Sequence, residues 1–468
     1  MAKAITPAAE QQPTASAGNW ILLVVGVAVV TVVAVSVPHL FDRAGWATGE
    51  KFLYLALLGY LGASVLYILL AALRQAKLRA GAVALTRGGF LMHTGAIVVR
   101  WSTSGHPPLS NIYEMVLVFS WAVVALHEVA EWKFELPLLG AITVPIAALS
   151  LILMQVLPGE IRPLVPALQS TWLQIHVTLA MLSYAGFALS FAVALLYLIK
   201  DGVSARSFLS WISGLVLVVY GAIVGSAVDR GLGLSLPAWD VVAQEKIMVA
   251  PKQALMVSIP GMGWPFLIVL VLGAATLALN LVERPQEGRG WVRRLFLAVV
   301  LVQALALAFL LVKVASGPYF VPAYGQSFGV HLASSPFLLA GLATALFASL
   351  AWLVLKWKYD TIVAFLPQRE MLDALIYKTV AISFPLLTLM IITGAYWANR
   401  TWGSYWSWDP KEDWALITWL TYAGYLHMRL TRGWRGRRSA YFAIIGFAIV
   451  LFTFFGVTYL LPGLHSYG

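Results

Sequence analysis

The stretch KFLYLALLGYLGASVLYILLAALRQAKLR, Lys51 to Arg79, holds 22 uncharged residues between Lys51 and Arg74, followed by three cations in six positions. As an α-helix the uncharged run rises about 33 Å, enough to cross the hydrocarbon core of a bilayer. The basic cluster that ends it reads as a loop on the membrane face where Lys and Arg collect. The same alternation of apolar run and polar connection recurs along most of the 468 residues.

The composition agrees. Sixty per cent of the residues are hydrophobic and 11% are charged, a balance that no water-soluble interior can hide. Apolar runs of spanning length fall at about thirteen places: 20–38, 51–73, 83–100, 112–130, 138–157, 172–199, 207–228, 264–283, 293–315, 335–356, 374–396, 413–429 and 440–461. The expected fold class is therefore all-α, a polytopic transmembrane helix bundle. Counted alternately, RQAKLRAGAVALTR, KDGVSAR, ERPQEGRGWVRR, KWKYD and RLTRGWRGRRS share one side. The positive-inside rule makes that side cytoplasmic, with the N-terminus cytoplasmic and the C-terminus extracytoplasmic. The net charge of +11 is accounted for by these loops, which removes nucleic acid as a partner. There is no cysteine, so thiol chemistry must come from a substrate or partner.

The outer connection Trp402 to Trp414, WGSYWSWDPKEDW, is the most unusual polar segment. It packs four tryptophans, two aspartates and a glutamate into thirteen residues. An aromatic belt would scatter such residues around the protein. Clustered indoles with carboxylates suit a flat, apolar ligand with a polar edge, such as a porphyrin. Asp409-Pro410 also reads as an N-cap followed by proline at the first helical position, a purely structural role.

A porphyrin iron takes axial histidine, and the eight histidines sort by depth. His176 and His465 lie at the hairpin's level, as a bis-histidine pair or as two interfacial histidines hydrogen-bonded to water or headgroups. His427 lies about 20 Å deeper, counting from Trp414 at helical rise. An ionisable side chain inside a span is functional by default; the alternative is that Arg429 snorkels outward while His427 caps the bundle. His93 is either a second deep ligand or a satisfied packing residue. His39, His106, His127 and His331 read as structural. Arg100 and Arg162 are outer cations able to meet a ligand carboxylate, or to pair with Glu114 or Glu160. Ser110 reads as the N-cap of the span begun by SNIYE.

The hairpin resembles the WWD signature of haem-handling proteins of cytochrome c maturation. RWSTSGHPPLSNIYE, LVPALQSTWLQIHV with the following SYAGF, ITGAYWANRTWGSYWSWDPKEDWALITWLTYAGYLHMR and the terminal GLHSYG together resemble its CcsA (ResC) branch, from about Gly88 to the end. The resemblance implies a b-type haem (haem b) held through its iron by His176 and His465. The surrounding surface would be Trp402, Trp406, Trp408 and Asp409, with His427 as the ligand in the membrane. His93, Glu412 and Arg100 are secondary candidates. It also implies attachment of haem to an apocytochrome c CxxCH peptide at the outer face of a bacterial plasma membrane. A CcsB/ResB-like membrane partner and thioredoxin-like thiol reductants would assist.

Against that family pattern this chain divides into a cytoplasmic segment 1–19, an extra N-terminal span in 20–50, CcsA-like helices in 51–200, inserted spans in 201–360 with an outer loop 229–263, and the WWD region 361–468. Two other functions remain compatible. One is haem delivery without attachment, as in another maturation pathway. The other is a secondary transporter for a lipid-linked or aromatic solute, gated by the tryptophans, with His427 as proton relay.

Overall fold

The computed structural model describes residues 48–463, apart from 155–156, 158, 162, 229–230, 241–244, 251–252, 283–288, 331–334 and 462. The expected span 20–38, His39, Arg162, His331 and His465 lie outside the described residues.

The chain forms helices α1 (Thr48–Leu73), α2 (Ala76–Ser104), α3 (Ile112–Phe134), α4 (Gly140–Met154), α5 (Thr171–Lys200), α6 (Ala205–Val228), α7 (Gly263–Val282), α8 (Arg289–Ala315), α9 (Pro336–Trp357), α10 (Tyr359–Phe365), α11 (Arg369–Trp402), α12 (Pro410–Thr431) and α13 (Arg437–Leu451). A π-helical turn, Phe452–Gly456, carries α13 into the short α14 (Val457–Leu460). Among the described residues, eleven helical stretches are long and apolar enough to cross a bilayer. The expected span 413–429 is helical as α12 but is not among them, because Lys411, Glu412, Asp413, His427 and Arg429 make it too polar.

The most buried span is α5. It packs along α11 and also meets α13, α3 and α4, while α1 lies against α2 and α4. A second cluster is formed by α6 with α7 and α9, and α7 with α8; it meets the first through α9 against α4 and α1.

An all-helical reading missed one feature. The connections after α6 and after α8 contain short antiparallel strands: β1 (Leu234–Asp240), β2 (Glu245–Lys246), β3 (Met248–Ala250), β4 (Gln253–Ala254), β5 (Met256–Ile259), β6 (Tyr319–Val321) and β7 (Gln326–Val330). Pairing of Ala238 with Val330 and Trp239 with Gly329 joins the two connections in one sheet. Leu234, Leu236 and Ala238 of β1 and Val257 and Ile259 of β5 face inward at alternate positions, a strand alternation that the all-helical expectation did not include.

The end of the bundle remote from the tryptophan hairpin is fastened by buried charge. Arg429 donates to both carboxylate oxygens of Asp373 at 2.8 and 2.7 Å, and the same carboxylate accepts the Gly436 backbone N–H at 2.8 Å. The guanidinium also lies over the Tyr377 ring. Arg429 is therefore tied into α11 and does not snorkel outward. Nearby, Asp201 accepts from Arg369 at 2.8 Å and from Arg437, linking the end of α5 to the starts of α11 and α13.

Removing one partner of a buried, hydrogen-bonded pair leaves the other charge stranded, at a cost of about 3–5 kcal/mol. Asp373→Ala is expected to lower the unfolding temperature of the detergent-solubilised protein accordingly. Glu128→Ala removes the Arg87 pair, whose arginine side chain is 62% exposed, and is expected to cost under about 1 kcal/mol. Equal shifts for the two variants in a thermal scan would contradict this assignment.

Candidate functional site

The hairpin is built by its own polar groups. Asp409 caps α12 by accepting the Lys411 backbone N–H at 3.0 Å, and Glu412 completes a capping box. One Glu412 oxygen accepts the Ser407 N–H at 2.7 Å and the Asp409 N–H at 3.3 Å. These bonds clamp the residues on either side of Trp408, which sits in the left-handed region at φ +58°. For a bulky residue that conformation costs about 1–3 kcal/mol. The result is an indole 72% exposed at the hairpin tip, edge-on to Trp406 at a centroid distance of 6.0 Å. Asp409 and Glu412 thus have a structural use in forming the turn.

Beneath the hairpin lies an open pocket of about 150 Å³ lined by α5, α11, the first turns of α3 and α12, and the π-helical turn that follows α13. His176, Tyr184, Met390, Trp397, Trp406 and Phe454 line it. His176 reaches it from α5, and its Nδ1–H donates to the Met390 carbonyl of α11 at 2.7 Å. A neutral imidazole so bonded carries its lone pair on Nε2, the arrangement found for metal-bound histidines oriented by a backbone carbonyl. The ring lies nearly parallel to Trp397, 18° between planes and 6.4 Å between centroids. Gly394 admits it, since a Cβ there would stand 2.6 Å from the imidazole.

Trp397 is held by a 3.0 Å bond from its Nε1–H to the Ala167 carbonyl and packs on Trp402. Phe454 belongs to the π-helical turn, where Thr453 bonds Thr418 at 2.9 Å and the Trp414 carbonyl at 3.2 Å. Such turns recur at functional sites. Met115, Met181 and Met390 add adaptable apolar wall.

The structure therefore brings together His176, Trp406 and, through Trp397, Trp402. Trp408 stands at the exposed tip and does not line the pocket. Arg100 is committed elsewhere: it donates to Glu114 at 2.8 Å and to the Gly159 carbonyl at 2.8 Å, over the Tyr113 ring. The N-cap of α3 is Asn111, which accepts the Glu114 N–H; Ser110 instead gives its hydroxyl to Glu114. Sequence reading chose Ser110 because both residue types cap well.

The deep histidines separate. His93 is fully buried, with Tyr60 3.2 Å from its Nδ1. His427 is exposed on the surface of α12, four residues before its end. His127, read as a residue near a span end, is enclosed with Tyr67, Glu131 and Thr143 in a buried polar cluster.

Two residues of the pocket escaped the sequence reading. Trp397 resembled any tryptophan at the end of a span, and its only local signal is the Gly394 that precedes it by one turn. Lys411 lines the pocket from the first turn of α12. Burial pulls its ammonium below the usual lysine range, and the neighbouring Asp409 charge opposes that shift.

A family model described as "Cytochrome C assembly protein" matches residues 109–275 and 259–465. The cytochrome c biogenesis protein CcsA of Microcystis aeruginosa is 31% identical over 79% of this chain and 81% of its own. That of Nostoc punctiforme is 33% identical over 79% and 83%, and that of Gloeobacter violaceus 32% identical over 87% and 92%. The solved structure of cytochrome c heme lyase CcmF aligns over 91% of this chain at 14% identity, with a TM-score of 0.29 that establishes no common arrangement of helices. On the family match and the three relatives, the chain belongs to the cytochrome C assembly protein family.

Proposed function

We propose that this chain is the haem-handling subunit of a cytochrome c synthase in a bacterial plasma membrane. It accepts haem b at His427, presents it beneath the tryptophan hairpin on the extracytoplasmic face, and positions it for attachment to a CxxCH peptide. The observation that carries this reading is the 2.7 Å bond between His176 Nδ1 and the Met390 carbonyl. An imidazole tied by Nδ1–H to a backbone carbonyl, on the wall of a mainly apolar pocket that also holds Trp397, Trp406 and Phe454, suits a ligand to a porphyrin iron.

Further observations support it. Gly463 lies so close to Asp409 that a Cβ would approach a carboxylate oxygen to 2.3 Å. The chain is thus delivered to the hairpin two residues before His465, the proposed second ligand. An exposed histidine within a span is costly in lipid, which favours a CcsB/ResB-like protein covering His427. The basic loops support the proposed orientation.

In this mechanism the chain supplies placement. His176 and His465 fix the iron, and Trp406 and Trp397 hold the porphyrin face. An apocytochrome peptide brings both thiols, kept reduced by thioredoxin-like proteins, because this chain has no cysteine. Each S–H adds across a vinyl double bond: sulfur bonds one carbon, the proton goes to the other, and nothing is oxidised or reduced. Holding reacting groups in line can supply several orders of magnitude in rate.

Three outcomes follow. Co-expressed with the partner and an apocytochrome, His176→Gly is expected to lower covalent haem, read by peroxidase stain on a denaturing gel, by at least about tenfold, with partial rescue by added imidazole. Unchanged product would overturn the ligand assignment. Gly394→Ala is expected to reproduce the loss by displacing the imidazole, whereas Gly214→Ala, with nothing within 4 Å of its added methyl, is expected to be silent. For orientation, an impermeant maleimide is expected to label Ser404→Cys in intact spheroplasts and Arg435→Cys only after lysis; the reverse pattern would invert the topology.

A further inference from the structure

The pocket contains one cation, and the structure leaves it unused. Of the charged groups around the hairpin, Asp409 is spent on the α12 cap and Glu412 on the Ser407 and Asp409 N–H groups. Arg100, a candidate counter-charge by sequence, is neutralised by Glu114. Lys411 differs from all three. Its backbone N–H serves the cap, but among the described residues its ammonium has neither an ion-pair nor a hydrogen-bond partner, with Asp409 acting on it only at longer range. It shares the pocket with Glu412, whose Oε2 is engaged by the Ser407 and Asp409 N–H groups, and with an otherwise largely apolar wall that includes Met115, Leu173, Met181 and Phe454.

A partly desolvated ammonium beside such a wall is unfavourable on its own. A carboxylate carried in by the ligand would reverse that penalty through a charge-assisted hydrogen bond.

Building on the haem reading, we propose that Lys411 is the pocket's counter-charge for a propionate carboxylate. The site then selects a porphyrin with free acid groups, and the pairing fixes which edge of the macrocycle lies toward α12. With the iron held by His176 and one acid edge held by Lys411, the macrocycle can neither slide nor rotate in its plane. The vinyl edge is then turned away from α12. Lys411 acts as a positioning residue and takes no part in bond making.

The test is titration of haem and of its dimethyl ester into haem-free, detergent-solubilised full-length protein, followed by the Soret band. Wild type is expected to bind haem roughly 10- to 100-fold more tightly than the ester, the range for one hydrogen bond to a charged group. Lys411→Met is expected to lose that preference by weakening haem while leaving ester affinity within about twofold, which also shows that the variant is folded. Lys411→Arg is expected to restore most of it. A Lys411→Met protein that keeps the full preference would overturn the proposal. Equal binding of both porphyrins by wild type would overturn the lysine assignment while leaving the haem reading standing. Binding of neither porphyrin by wild type would overturn both.

Discussion

The close contact between α5 and α11 is the constraint on which the site depends. A helix in lipid satisfies its own backbone, so association relies on shape, and small residues let two backbones approach. Here each helix contributes one glycine. A Cβ on Gly186 of α5 would stand 1.9 Å from Ser383 Oγ of α11, and one on Gly394 of α11 would stand 2.6 Å from the His176 ring of α5. The two contacts are separated by about 15 Å along the helices, counting ten residues from His176 to Gly186. Together they fix separation and register. Only at that separation does the imidazole reach the Met390 carbonyl. The orientation of the His176 ring is therefore a consequence of helix packing rather than of local sequence.

The hairpin shows the same economy. Asp409 and Glu412 resemble ligand-binding carboxylates, yet both are used to close the turn and to hold Trp408 in a conformation it would not otherwise adopt. At the opposite end, Asp373 and Arg429 tie α11 to α12, and Gly436 brings α13 to the same carboxylate. The long polar helix α12 is thus held at both ends while His427 stays on its exposed face.

Much of the fold could be read from the sequence because length and hydropathy are local properties. The runs from Lys51 to Leu73 and from Thr171 to Lys200 announce themselves without reference to any other residue. What could not be read were pairings across long separations. The sheet joining Ala238 to Val330 pairs strands that lie on either side of α7 and α8 in the chain. Trp397 matters because His176, more than two hundred residues earlier, lies against it. The carboxylate that neutralises Arg100 was a named alternative, but sequence alone could not rank Glu114 above a ligand. Lys411 was passed over because a lysine at a helix start ordinarily faces water; its distinction is a missing partner, which only coordinates reveal.

The measurement that bears most directly on this account is the visible spectrum of the wild-type protein purified in detergent, oxidised and then reduced with dithionite. The account requires a low-spin b-type spectrum, with a sharp α band on reduction, because the proposed site would give the iron two imidazole ligands. A protein that stays colourless, even when produced together with a CcsB-like chain, would contradict it.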